Sequence, residues 1–66
     1  MPFVRIDLWK GRDKETKKKL IKNVTAAVVE SIGCPPEAVQ VVINEVEKEN
    51  WGLGGMPADE KFPDEK

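Results

Sequence analysis

The sequence predicts an α/β (α+β) fold of the β-α-β type: two parallel strands joined by one long crossover helix, then a short C-terminal hairpin or extended tail. Three observations carry that reading. Apolar residues alternate in two short stretches, residues 3–9 and 39–46. Between them, residues 14–32 repeat apolar positions every three or four residues. The third is size: 66 residues make one domain with little interior. Such a chain buries about 60% of the surface its unfolded form exposes. Small folds therefore lean on a disulfide, a metal or a partner copy.

The first strand is Phe3-Val4-Arg5-Ile6-Asp7-Leu8-Trp9. Alternation puts Val4, Ile6 and Leu8 on one face and Phe3, Arg5, Asp7 and Trp9 on the other. Lys10-Gly11-Arg12-Asp13 breaks the pattern, with Gly11 supplying the turn. Asp13 is placed to cap the following helix by accepting a backbone N–H bond, and Glu15 suits the positive end of the helix dipole.

The helix is predicted over residues 14–32. Leu20, Ile21, Val24, Ala27, Val28, Ser31 and Ile32 form its apolar stripe, and Lys17, Lys18, Lys19, Lys22 and Glu30 fall mainly on the solvent side. A rod of this length spans ~28 Å, enough to cross a small sheet. Gly33 is the natural C′ residue, where a positive φ is needed, and Pro35 and Pro36 prevent the helix from resuming.

In the second strand, residues 39–46, Val39, Val41 and Ile43 share one face, and Gln40, Val42, Asn44 and Val46 the other. Apolar residues on both faces predict that both are covered. One helix covers one face, so a second chain is expected to cover the other. After the polar turn Glu47-Lys48-Glu49-Asn50 comes Trp51-Gly52-Leu53-Gly54-Gly55. Residues 1–55 are read as the domain. Residues 56–66, with two prolines and six charged residues, are read as a charged tail, mostly extended or disordered.

Composition mainly excludes. Eleven Lys+Arg against twelve Asp+Glu leave a formal charge of −1, not the basic footprint of a nucleic-acid binder. No apolar run approaches the ~20 residues that span a bilayer, and the amino terminus lacks the basic start and apolar stretch of a signal peptide. A cytoplasmic setting without membrane or nucleic-acid partners is expected. Cys34 is the one cysteine, so no intrachain disulfide forms. With no histidine, one thiol does not build a zinc site. Oligomerisation is the support that remains. The lack of histidine also means that acid–base chemistry near neutral pH falls to a perturbed group or to a terminal amine.

The dipeptide Met1-Pro2 offers such an amine. Initiator methionine is normally removed before a small residue, which leaves Pro2 as a secondary amine fixed at the start of a strand. α-Amino groups titrate near ~7.7–8.0, with a proline amine ordinarily higher. An apolar pocket and a nearby cation both favour its neutral form, which acts as a general base. With Met1 attached, the Pro2 nitrogen is an amide and not a base. Many chains begin Met-Pro without chemical purpose.

Pro2 opening a strand, Gly11-Arg12 after it, one long helix, the Pro35 region, a second strand and Trp51-Gly52-Leu53-Gly54-Gly55 follow in that order. In this, the chain resembles the 4-oxalocrotonate tautomerase family over residues 2–55. The resemblance implies a β-α-β protomer paired into dimers, commonly a hexamer built as a trimer of dimers, working without a cofactor. It implies that Pro2 moves a proton between a dienol and an α,β-unsaturated ketone. It gives Arg12 the role of gripping a substrate carboxylate, for which a planar guanidinium is suited. Trp51 falls where the family has an aromatic pocket wall, usually phenylalanine. From the residues alone, Arg12 reads first as a solvated turn arginine, and Trp51 reads also as a core or interface anchor. The family's second arginine, brought from another subunit, aligns with Gln40, which donates a neutral hydrogen bond and carries no charge. Charge-assisted bonds are roughly twice as strong, so Gln40 implies a changed substrate or rate. Arg5, the other arginine, or a lysine is expected to replace the missing charge.

The expected function is a cofactor-independent tautomerase acting on a 2-hydroxydienoate such as 2-hydroxymuconate, or on a related 2-keto acid. The alternatives are a Pro2-dependent hydratase or dehalogenase, a nucleophilic amine catalyst, and a non-catalytic oligomeric binding module. Weaker candidates are Cys34 as a nucleophile rather than a packing residue, the lysines 14, 17, 18, 19 and 22 as a phosphate patch rather than a solvated face, and Asp7 with Glu45 as a carboxylate pair.

Overall fold

The two alternating stretches become strands β1 (Phe3–Trp9) and β2 (Gln40–Val46) in the computed structural model, which describes residues 1–62. They pair in parallel, from Phe3 opposite Gln40 to Trp9 opposite Val46. The crossover helix α1 (Lys14–Ile32) has the predicted limits. A short antiparallel hairpin follows, β3 (Gly52–Leu53) with β4 (Met56–Pro57), and then one helical turn, α2 (Ala58–Lys61). The second strand begins at Gln40 rather than Val39. The reason is local: Pro36–Ala38 form a 3₁₀ turn, and the Val39 N–H is used on the Pro36 carbonyl at 3.1 Å.

The ends of α1 are fixed by the residues expected to fix them. The Asp13 carboxylate accepts the Thr16 N–H at 2.9 Å. Gly33 takes φ 76°, a left-handed conformation, and its N–H closes onto Val29 O at 2.9 Å. The hydrogen bonds from Thr16 hold the Asp13 carboxyl below the usual carboxylate range. A depressed folded-state pKa contributes stability above the unfolded value of 3.8, and that contribution is lost as pH falls through the folded value. Asp13→Ala is therefore expected to lower Tm at pH 7, with a smaller gap between variant and parent below about pH 4. Thermal melts of both proteins across that range check this. A gap independent of pH counts against the ionised cap.

Burial shows two layers, one of them uncovered. Val4, Ile6, Leu8, Val41 and Ile43 are half-buried, as are Leu20, Val24, Thr25, Val28 and Val29 of the helix. The helical stripe differs from expectation: Ile21 is 40% and Ile32 64% exposed, and Ala27 and Ser31 are exposed too. A seven-residue stripe is wider than two strands can cover. Lys17, expected on the solvent side, is half-buried instead, its ammonium 3.0 Å from the Glu45 carboxylate. On the opposite sheet face Phe3 is 61% and Val42 43% exposed. This is the face the sequence expects another chain to cover. Ala58 is the one fully buried hydrophobic residue among the described residues.

Of the two forms expected for the C-terminal stretch, the hairpin is present. Composition reads residues 56–66 as mostly extended or disordered, and over 56–62 the structure differs. The Ala58 N–H reaches back to the Trp51 carbonyl at 2.7 Å. Trp9 anchors the stretch: Trp51 meets it edge-on at 6.0 Å, and Phe62 lies 5.8 Å from it between centroids. The Lys48 ammonium lies 5.0 Å from the centre of the Trp9 ring and donates to the Phe62 carbonyl. Burial of large aromatic surface offsets the polar character of the segment. Residues 63–66 of the expected tail lie outside the described residues. Among those described, no helix is long and apolar enough to cross a membrane.

Candidate active site

Parallel pairing brings the starts of both strands together, and so decides what lies beside Pro2. The Gln40 N–H donates to the Pro2 carbonyl at 3.0 Å. This bond extends the ladder by one step and ties the half-buried Pro2 to the sheet. The Gln40 side-chain amide then reaches the Met1 sulfur, with Nε2 to Sδ at 3.3 Å. Within one chain, Gln40 is thus already the neighbour of Pro2, and no second subunit is needed to bring their backbones together.

Arg12 and Trp51 are not at that end. The Arg12 guanidinium donates through Nη1 to the Trp9 carbonyl at 3.0 Å, and Trp51 packs against the Trp9 ring. Trp9 is the last residue of β1 and Pro2 directly precedes its first. At ~3.3 Å per residue the two ends stand about 20 Å apart. A small substrate cannot touch both within one protomer.

Arg5 lies between these ends on the open face. Its Nε is 3.3 Å from the Asp7 carboxylate, and Asp7 also accepts the Asn44 side-chain N–H at 3.0 Å. These three residues share a groove of about 350 Å³ with Val46, Asn50, Trp51 and Gly52. Asn44 and Asn50 were not singled out from the sequence. Only the register, which sets Asp7 opposite Asn44, shows that Asn44 holds the carboxylate beside Arg5.

The remaining candidates are separated by the fold. Asp7 and Glu45 do not pair, because Glu45 lies opposite Leu8 and is engaged by Lys17 while Asp7 is on the open face. Cys34 is a half-buried free thiol just beyond the helix cap. Among the helix lysines, Lys14, Lys17 and Lys18 line a second groove of about 420 Å³ with Ile21 and Ile43. Lys17 already has a carboxylate partner there, which weakens the phosphate reading.

The chain is similar to known proteins over most of its length. The family model described as "Tautomerase enzyme" matches residues 2–60. A 2-hydroxymuconate tautomerase of Comamonas testosteroni is 48% identical over 60 residues, covering 91% of this chain and 95% of the relative. Among solved structures, a 4-oxalocrotonate tautomerase isozyme of Methylibium petroleiphilum superposes with a TM-score of 0.88 at 46% identity, covering 92% of this chain and 98% of the other. A heterohexamer 4-oxalocrotonate tautomerase of Chloroflexus aurantiacus J-10-fl gives 0.87 at 32% identity, covering 91% and 97%.

Proposed function

Since the chain belongs to the 4-oxalocrotonate tautomerase family and is an isomerase of the tautomerase type, we propose that Pro2, freed by removal of Met1, is the base that moves the proton. The observation that carries this is the tethering of Pro2, which is half-buried and tied through its carbonyl to Gln40. Removal of Met1 turns the Pro2 nitrogen from an amide into a secondary amine with a lone pair.

The substrate class is a 2-hydroxydienoate or a related 2-keto acid. The similarity to 2-hydroxymuconate tautomerases supports that choice. Neutral Pro2 accepts the proton of the enol hydroxyl. The oxygen lone pair forms the carbonyl, the double bonds shift along the diene, and the far carbon takes the proton back from the Pro2 ammonium. No atom is gained or lost, and no electron acceptor is needed.

The 20 Å gap within one protomer supports an active site shared between copies. One copy supplies Pro2 and Gln40. A neighbour supplies Arg12 for the substrate carboxylate and Trp51 as an apolar wall. An apolar wall and a guanidinium both favour the neutral amine. A homo-hexamer arranged as a trimer of dimers fits this sharing, with the uncovered sheet face turned to neighbouring chains. The test is ketonisation of 2-hydroxymuconate, followed by the loss of dienol absorbance. Protein whose intact mass shows Met1 removed should turn it over, and protein retaining Met1 should not. Equal rates for the two forms count against the Pro2 mechanism.

A further inference from the structure

Of the chain's two arginines, one is already ion-paired. Arg5 is ion-paired to Asp7 at 3.3 Å, and Asn44 holds that carboxylate from across the sheet at 3.0 Å. Arg12 donates to an uncharged carbonyl, and among the described residues it forms no ion pair. Beside Pro2 stands the neutral amide of Gln40, in contact with the Met1 sulfur. Its neighbours on that face are Phe3, 61% exposed, and Val42, 43% exposed. This part of the sheet therefore offers apolar surface, one neutral donor and, opposite Val42, the Arg5 guanidinium already paired with Asp7.

From this charge pattern we propose that the substrate carries a single carboxylate and an uncharged alkyl or aryl end. The proposal rests on the Pro2 reading above and deepens it. Arg12 takes the one carboxylate. Removal of Met1 releases the Gln40 amide, which donates to the substrate's carbonyl oxygen as it forms. A second carboxylate would lie against Phe3 and Val42, where the neighbouring Arg5 is already engaged by Asp7, so it would lose water without gaining an unpaired cation. Gln40 and the Asp7-bound Arg5 thus set specificity by withholding a second positive charge.

Two pairs of compounds of matched shape test this. The substrates are 2-hydroxyhexa-2,4-dienoate, with a methyl end, and 2-hydroxymuconate, with a carboxylate there. The unreactive pair, sorbate and muconate, reports binding as competitive inhibition. The processed protein is expected to favour the methyl compound of each pair by about 10–100-fold, the cost of desolvating a charged group that gains no charged partner. Gln40→Arg should bring the ratio towards one or reverse it. Asp7→Asn, which frees Arg5 without adding a cation, should move it the same way and covers the case in which Gln40→Arg does not fold. A processed protein that prefers the dicarboxylates overturns the proposal while Pro2 catalysis stands. Ratios unmoved in both folded variants also overturn it. If neither substrate is turned over faster by the processed protein than by Pro2→Ala, the Pro2 reading itself fails.

Discussion

Pro2→Ala is expected to ketonise a 2-hydroxydienoate about 10²–10⁴-fold more slowly than the processed parent, the usual contribution of a positioned general base. The change should fall on kcat more than on KM, because the amine acts on the reacting proton while the carboxylate is held by Arg12. The variant should still fold. Pro2 contributes to the sheet through its carbonyl, which accepts from the Gln40 N–H, and alanine keeps that carbonyl. The expected signature is an unchanged melting curve together with lost turnover. The parent should also show an acidic limb in its pH–rate profile, where protonation removes the lone pair. Alanine also leaves a terminal amine, but a primary one with more rotational freedom, so the surviving rate reports how much the fixed ring matters. A folded Pro2→Ala protein at parental rate overturns the mechanism.

The second large effect tests the sharing of the site. Arg12→Ala alone is expected to lose about 10–100-fold in kcat/KM, the worth of a charge-assisted bond to the substrate carboxylate. Pro2→Ala and Arg12→Ala proteins, unfolded together and refolded as a mixture, should regain activity that neither has alone. In equal mixtures about a quarter of sites would draw Pro2 from the Arg12→Ala chain and Arg12 from the Pro2→Ala chain, if each site takes one residue from each of two copies. The basis is the length of β1, which holds Pro2 and the Arg12–Trp9 contact at opposite ends. A mixture no better than its parents indicates that one chain supplies both residues.

Much of the architecture was legible in the residues because its signals are local. The period of two in Phe3–Trp9 and the helical period of residues 14–32 recur as elements with those limits. Asp13 and Gly33 act as caps because each needs only its own backbone neighbours. What was not legible depends on two layers meeting. Lys17 belongs to a lysine run that reads as solvated, yet its position across from Glu45 brings it into the helix–sheet seam. Ile21 and Ile32 fit the apolar stripe, but a two-stranded sheet is too narrow to reach them. The charged stretch after Gly55 reads as disordered because its composition does not reveal that Trp9 waits as a surface for Trp51 and Phe62.

For the candidate site the division is sharper. The sequence by itself determined which groups exist: Pro2 after Met1, two arginines, a neutral glutamine at position 40, and no histidine. Those follow from covalent chemistry and need no fold. Only the tertiary structure decided which of them meet. Parallel register places Gln40 beside Pro2, Asn44 beside Asp7, and Arg12 and Trp51 a full strand away. The physical reason is that a crossover connection can join strand ends at any register, and only packing against the helix selects one. That selection leaves each protomer with half of the proposed site at each end of its sheet.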